Sequence, residues 1–203
     1  MSDLHRTTYR VAIGTQQIEL PLVPINPDVA ISLLMTIDRG VKFMERAGAE
    51  LAELVRKDEP EIVATAATLG IPLAVEVTRS LGLDDYIVLQ KTPKIHLHDA
   101  LVEPLSSITT DAEQVLRLDR ARIPALAGKR VVLVDDVVAT GGSLAACLRL
   151  LRAAGADVVA IGVLLVEGAA WRGALGADAA TVQSLGSIPS FTREGDAWRE
   201  HWD

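Results

Sequence analysis

The chain has 203 residues and a formal net charge of −7, and 49% of its residues are hydrophobic although only 3% are aromatic. The acidic balance argues against a broad nucleic-acid surface, and the single cysteine, Cys147, excludes an internal disulfide or a multi-cysteine metal cage. The amino terminus lacks the apolar core of a signal peptide, and no stretch approaches the roughly 20 apolar residues that cross a bilayer. We therefore expect a cytoplasmic protein that contacts neither membrane nor nucleic acid.

The first elements along the chain are predicted to be a hairpin followed by helices. Thr8 to Leu22 alternate in polarity about a Gly-Thr pair, which predicts a β-hairpin. Beyond a proline-rich connector, Asp28 is predicted to cap a helix whose apolar residues continue to Val41. A second helical run is predicted to end near Lys57.

Strands and helices then alternate. Strands are predicted at residues 61–65, 86–90, 131–134 and 158–166, and helices at residues 72–81 and 142–154. Strands separated by helices predict βαβ units, and therefore an α/β fold with a mostly parallel, twisted sheet flanked by helices. We expect one domain over residues 1–203, with its core at about 28–166.

An excursion interrupts this alternation between residues 91 and 118. It is predicted to contain strands at 100–108 and 113–118, joined by a turn at Thr109. An insertion of this length between core strands is more often a functional lid than filler. His96 and His98 could share one face of a strand, but without a third ligand in view we expect them to be solvated.

The segment from Val131 to Ser143 is typical of a phosphate-binding turn beside two carboxylates. Four apolar residues end in Asp135 and Asp136, and ligands bind at the carboxyl ends of strands in open α/β sheets. The following turn, Ala139 to Ser143, lets the backbone approach an anion at a helix amino terminus. Ribose hydroxyls suit the carboxylates, although paired acids are also found at the Mg²⁺ sites of phosphotransfer domains.

This segment resembles the motif of type I phosphoribosyltransferases that binds 5-phosphoribosyl 1-diphosphate (PRPP): four apolar residues, two acids, three mostly apolar residues, then Thr-Gly-Gly-Ser. Ala66 to Leu81 is similar to the diphosphate-binding loop and the helix that follows it. Gln90 to Lys94 is similar to the entry of the flexible loop that closes over the active site. Residues 106–118, 155–167 and 182–190 are similar to the xanthine phosphoribosyltransferase subgroup and the related purine operon repressor.

The resemblance implies a purine phosphoribosyltransferase of nucleotide salvage that transfers the phosphoribosyl group of PRPP to a nucleobase and releases diphosphate. It implies that Asp135 and Asp136 contact the ribose hydroxyls, directly or through Mg²⁺ carried by PRPP. The residues implied to bind the phosphates of PRPP are Ala139, Thr140, Gly141, Gly142 and Ser143 for the 5-phosphate, and Leu69, Gly70, Lys91 and Lys94 for the diphosphate.

The resemblance further implies a homodimer and a small hood over the base, built from residues 8–27 and 167–190. Candidate base contacts are Leu22, Val23, Glu167 and Trp171, the last by stacking on the ring. Ser107 and Thr109 would lie on the inserted lid.

Two departures from the family pattern bear on the substrate. No acid precedes Gly70 in the diphosphate loop, and Gly168 stands where the xanthine subgroup tends to have a lysine that reads a 6-oxo group. The missing lysine weakens the case for xanthine or guanine and strengthens that for a 6-aminopurine, and the acceptor stays open between adenine and an oxopurine. Two alternatives stay open: a transferase for orotate or another pyrimidine, and a PRPP-binding regulator, for whose DNA-binding domain the chain has neither length nor a basic face.

Overall fold

The structure is a computed structural model that describes residues 7–97, 99–105 and 114–202. The strands are β1 Thr8–Ile13, β2 Gln16–Pro24, β3 Val29–Ser32, β4 Ile62–Ala66, β5 Tyr86–Leu89, β6 Ala100–Leu105, β7 Gln114–Asp119, β8 Arg130–Val138, β9 Asp157–Glu167, β10 Val182–Ser184, β11 Ser187–Ile188, β12 Ser190–Glu194 and β13 Ala197–His201. The α-helices are α1 Val41–Val55, α2 Gly70–Leu81, α3 Ile123–Leu126, α4 Gly142–Ala153 and α5 Trp171–Leu175.

The central sheet has the strand order β10-β9-β8-β4-β5, with β11 also pairing with β9, and every pair is parallel. This confirms the predicted α/β fold with a parallel sheet. Strand β8 lies in the middle of the sheet, so the segment after it emerges at the centre of the carboxyl edge.

The apolar run before the acid pair is buried on both faces of the sheet, as a central parallel strand requires. Val131 and Leu133 pack on the side of α4, and Val132 and Val134 pack on the side of α1 and α2. All four side chains have no exposed surface. Because alternate side chains pack on opposite faces of the sheet, this part of β8 is fixed between two helical layers.

A second, antiparallel sheet has the order β1-β2-β3-β12-β13. The predicted hairpin is present as β1 and β2, but the helix predicted to start at Asp28 is wrong, because 29–32 form β3 between β2 and β12. Its side chains alternate between half-buried and buried, and Ala30 packs on Phe191. Helix α1 begins only at Val41.

The carboxyl-terminal residues complete this second sheet, which differs from the predicted bounds of the hood. Strands β12 and β13 form a hairpin, and the Tyr9 and Phe191 rings make an edge-to-face contact with centroids 5.3 Å apart. Residues 167–184 instead return through α5 to the central sheet at β10.

The inserted excursion contains the predicted pair of strands, β6 and β7, as an antiparallel hairpin. Leu116 and Leu118 are buried against the central core, so the strands of this hairpin are part of the packed molecule rather than a free loop. The predicted lid residues Ser107 and Thr109, together with His98, lie outside the described residues. None of the helices in the described ranges is long and apolar enough to cross a membrane.

Candidate active site

The acid pair lies at the carboxyl end of β8, and both side chains are half-buried. Asp135 Oδ1 accepts a hydrogen bond from the Asp136 backbone N–H at 3.0 Å. Burial raises the pKa of Asp135 well above its ordinary value, and the neighbouring charge of Asp136 raises it further. Burial likewise raises the pKa of Asp136. A ligand that brings hydroxyl donors or positive charge would relieve this electrostatic cost.

The turn after β8 forms one wall of a small cavity. The cavity has a volume of about 190 Å³ and is lined by Asp135, Val137, Val138, Ala139, Thr140, Gly141, Ser143 and Leu144. Ser143 Oγ is buried and has no hydrogen-bond partner within the described part of the chain. An unpaired buried hydroxyl costs about 1–3 kcal/mol, and an anion at the start of α4 would supply the missing partner.

Helix α5 supports this turn from behind, which corrects the prediction for Trp171. A Cβ on Gly141 would lie 2.9 Å from the Trp171 carbonyl oxygen, and the φ of +79° suits glycine there. Trp171 itself is buried, and its Nε1 donates to the Gly168 carbonyl at 2.9 Å. The structure does not support stacking of the indole on a base, because the ring is packed in the core beneath the phosphate turn.

The loop between β4 and α2 brings Leu69 and Gly70 next to the acid pair. A Cβ on Gly70 would clash with Thr65 Oγ1 and lie 3.2 Å from Asp135 Oδ1. The loop is fixed on both sides: the Ala67 N–H donates to the Leu89 carbonyl at 2.9 Å, and Thr36 Oγ1 donates to the Leu69 carbonyl at 2.5 Å. The predicted diphosphate loop and the predicted ribose contacts therefore share one edge of the sheet.

Of the two candidate lysines, Lys91 is the one that the structure connects to the acids. Its side chain is exposed, and its positive charge partly offsets the rise in the pKa of Asp135 and Asp136. Lys94 is also exposed and begins the turn that leads to Leu97. Its contact with diphosphate stays a prediction.

The candidate base contacts divide into two groups. Glu167 ends β9 and is half-buried, and burial raises the pKa of its carboxyl group. Val23 is half-buried in β2. These two stay predictions. Leu22 is not supported as a base contact, because its side chain packs with Ala30 and Phe191 inside the second sheet.

Two residues that shape the site were not predicted from the sequence: Thr36 and Thr65. Thr36 holds the Leu69 carbonyl from a stretch that periodicity assigned to a helix. Thr65 is fully buried at the end of β4, directly against Gly70. The polarity of a lone threonine at the end of an apolar strand was the available signal.

The acid pair fits Mg²⁺ only in part. Two carboxylates supply hard oxygen ligands, and Mg²⁺ takes about six in octahedral geometry. Among the described residues, no group of three or more His, Cys, Asp or Glu side chains could hold a metal ion. The arrangement therefore suits an ion whose remaining ligands are oxygens of a bound diphosphate or water.

The open parallel sheet, the acids at its centre and the phosphate turn define an α/β protein built to bind a phosphorylated ligand. Residues 36–186 match the family model of the phosphoribosyl transferase domain. The adenine phosphoribosyltransferase of Acidiphilium cryptum is 33% identical over 142 residues, which cover 68% of this chain and 78% of that protein. The xanthine phosphoribosyltransferase of Geobacillus thermodenitrificans is 26% identical over 123 residues, which cover 61% and 62%.

The fold agrees with these sequence matches. The crystal structure of adenine phosphoribosyltransferase from Thermoanaerobacter pseudethanolicus superposes with a TM-score of 0.66 at 20% identity, covering 83% of this chain and 95% of that one. The chain belongs to the phosphoribosyltransferase family, as its PRPP motif predicted, and has the type I fold of that family.

Proposed function

We propose that this chain transfers the phosphoribosyl group of PRPP to adenine and releases diphosphate. One observation carries the proposal: Asp135 lies beside both Gly70 of the diphosphate loop and the cavity formed by the turn at Ala139 to Ser143. Gly70 would meet the diphosphate, Asp135 the ribose hydroxyls and the cavity the 5-phosphate of a single PRPP molecule. A site for a simple phosphate would need only the cavity.

The residues of the chain would act mainly by holding PRPP in place. The N–H groups at the start of α4 and the Ser143 hydroxyl would bind the 5-phosphate. The backbone of Leu69 and Gly70 would bind the diphosphate. Asp135 and Asp136 would accept hydrogen bonds from the ribose hydroxyls, and those donors would favour the charged form of both buried acids.

In the reaction, the bond from C1 of the ribose to the diphosphate oxygen breaks as a ring nitrogen of the base bonds to C1, and the proton of that nitrogen leaves with the diphosphate or passes to water. Positive charge develops on the ribose and negative charge on the diphosphate. The carboxylates of Asp135 and Asp136 would stabilise the first, and the ammonium group of Lys91 would stabilise the second. The hairpin of β6 and β7 beside Lys91 would limit access of water, which would otherwise hydrolyse PRPP.

We also propose that PRPP is used as its Mg²⁺ complex, with Asp135 and Asp136 holding the ion directly or through water or the ribose hydroxyls. When bound, Mg²⁺ neutralises charge on the diphosphate oxygens. We expect activity to disappear with excess chelator and to return when MgCl₂ is added in excess of it. Turnover that persists after exhaustive chelation would contradict this part of the proposal.

Adenine is favoured as the acceptor by the end of β9. Gly168 has no side chain to donate a hydrogen bond to a 6-oxo group, whereas the Glu167 carboxylate can accept one from a 6-amino group. Curated relatives named adenine phosphoribosyltransferase support the same choice. An oxopurine would leave the Glu167 carboxylate facing another acceptor, which a site built on hydrogen bonds rejects strongly.

The test is a turnover assay with PRPP, MgCl₂ and one of six bases: adenine, hypoxanthine, guanine, xanthine, orotate or uracil. We expect diphosphate release and nucleotide formation with adenine. Turnover of xanthine or guanine instead would replace adenine with an oxopurine, and turnover of orotate would make the chain a pyrimidine transferase. Binding of PRPP without turnover of any base would identify a PRPP-binding regulator and overturn the enzymatic proposal.

The family resemblance also leads us to propose a homodimer in the cytoplasm. Light scattering during size-exclusion chromatography should give twice the chain mass of 21.7 kDa. A single species with the mass of one chain, at micromolar concentration, would contradict the dimer.

A further inference from the structure

Arg117 of β7 connects the inserted hairpin to the end of β5. Its backbone makes two hydrogen bonds with Gln90, from Gln90 N–H to the Arg117 carbonyl at 2.9 Å and from Arg117 N–H to the Gln90 carbonyl at 2.8 Å. Its side chain contacts the next residue along, because Nη1 donates to the carbonyl of Lys91 at 3.2 Å. The same Nη1 also donates to the carbonyl of Val115 at 3.1 Å. The guanidinium group of Arg117 therefore holds the backbone of Lys91.

The backbone that carries Lys91 is also fixed from the opposite side. Two residues earlier, the Leu89 carbonyl accepts the Ala67 N–H of the predicted diphosphate loop at 2.9 Å, and Leu89 lies opposite Ala66 in the sheet. The short stretch from Leu89 to Lys91 is thus held between the diphosphate loop and the hairpin. A lysine side chain is long and flexible, so the region that its ammonium group samples is set by where this backbone lies.

We propose that Arg117 is a positioning residue that holds Lys91 at the diphosphate side of the site, so that affinity for PRPP depends on the bond from the Arg117 side chain to the Lys91 carbonyl. The inference rests on the proposed function. Arginine suits the role because its planar group can donate to two carbonyl oxygens at once. The charge of Lys91 lowers the pKa of both Asp135 and Asp136, which agrees with a lysine kept near the acid pair.

The hairpin has other anchors that do not involve Lys91. Leu116 and Leu118 are buried in the core, and Arg149 of α4 forms an ion pair with Glu103 of β6 at 2.5 Å. The bond from Arg117 to Lys91 is therefore an addition to a hairpin that is already attached. This difference provides a matched control, because loss of the Arg149 pair loosens the hairpin without touching Lys91.

The experiment compares the variants Arg117→Met, Arg117→Lys and Arg149→Gln, each in the full chain with and without Lys91→Met. The KM for PRPP and kcat are measured at saturating adenine, and the midpoint of thermal unfolding is measured for every variant. We expect Arg117→Met to raise the KM for PRPP about three- to tenfold, the range that a hydrogen bond provides. Arg117→Lys should recover part of the loss, and Arg149→Gln should leave the KM near that of the unmodified chain.

The double variant decides the question. With Lys91→Met already present, Arg117→Met should raise the KM little further, because the residue it positions is gone. An equal increase in both backgrounds, or the same increase from Arg149→Gln, would overturn the proposal and leave Arg117 as a structural residue. If no base is turned over, the comparison is made on the Kd of Mg²⁺-PRPP and of inorganic diphosphate by calorimetry. That readout separates failure of the proposed reaction from failure of the Arg117 proposal, and absence of binding to both ligands would contradict both.

Discussion

At the scale of single residues, Asp135 makes the empty protein less stable at neutral pH. Burial raises its pKa in the folded chain above the ordinary value of 3.8, so the folded state binds this proton more tightly than the unfolded state does. The stability associated with the protonated form is complete below pH 3.8 and is lost as the pH rises through the folded-state pKa. The proposed contact with the ribose would therefore keep a charged group where folding alone disfavours one.

We expect Asp135→Asn to abolish turnover and, at the same time, to raise the midpoint of thermal unfolding of the ligand-free protein. Removal of about 1 kcal/mol of destabilisation at pH 7.5 would raise the midpoint by roughly 2–4 °C in a chain of this size. The difference between the variant and the unmodified chain should shrink as the pH falls toward 4. Calorimetry from pH 4 to 8 measures it, and a variant that melts earlier at pH 7.5 would refute the electrostatic argument.

Thr36 has a residue-scale role that can be tested separately from the acids. Its hydroxyl is buried and donates to the carbonyl of Leu69, which is the residue before α2. Thr36→Val keeps the shape but removes this hydrogen bond to the loop before α2, so we expect a rise of about three- to tenfold in the KM for PRPP. Thr36→Ser keeps the hydroxyl and should behave nearly like the unmodified chain. Equal effects of the valine and serine variants would point to packing rather than to the hydrogen bond.

At the scale of elements, the start of α4 depends on contact with α5. Gly141→Ala would place a Cβ 2.9 Å from the Trp171 carbonyl oxygen and would also strain a φ of +79°. Gly128→Ala has a similar strain, at φ +72°, but its Cβ would meet nothing within 4 Å. The pair therefore separates backbone strain from displacement of the phosphate turn.

We expect both alanine variants to lose roughly 1 kcal/mol of stability from strain alone, and only Gly141→Ala to lose tenfold or more in affinity for PRPP. Chemical denaturation gives the stabilities, and calorimetric titration with Mg²⁺-PRPP gives the affinities. A Gly128→Ala variant that binds PRPP as weakly as Gly141→Ala would show that strain, rather than the contact with α5, controls the turn.

The elements that the sequence predicted well are those whose own residue pattern, without distant partners, determines their structure. Strand β8 contains a run of four buried apolar residues followed directly by its two acids, so the position of the candidate site could be predicted from the pattern alone. Strand β3 could not be found, because a stretch of only four residues becomes a strand only through pairing with β2 and β12. Thr36 was missed for the same reason, since its partner Leu69 is 33 residues away.

At the scale of the whole molecule, the candidate site joins parts that are far apart in the sequence. The diphosphate loop follows β4, the acids lie near the end of β8 with the phosphate turn after it, and Lys91 follows β5, all at one edge of one sheet. The second sheet gathers the two ends of the described chain, and its last hairpin was missed because only Phe191 of its first strand is buried. The parallel sheet is what brings the separate segments into register.

This arrangement predicts how ligands stabilise the protein. Under the proposed function, ribose 5-phosphate would occupy the turn and the acids, diphosphate would occupy the loop near Lys91, and Mg²⁺-PRPP would occupy all of them at once. A ligand present at about 100 times its Kd adds about 2.7 kcal/mol to the free energy of unfolding. At one common concentration, PRPP should raise the midpoint of thermal unfolding most, because joining the two fragments removes the entropic cost of binding the second one separately.

The comparison should be made in MgCl₂ with each ligand alone and with the two fragments together. We expect PRPP to exceed the mixture of fragments in the unmodified chain, and Asp135→Asn to reduce the effect of ribose 5-phosphate more than that of diphosphate. If PRPP stabilises no better than ribose 5-phosphate, the loop at Gly70 does not bind the diphosphate, even though it lies beside the acids. If the two fragments together match PRPP, the segments bind independently, and the shared edge of the sheet does not form one continuous site.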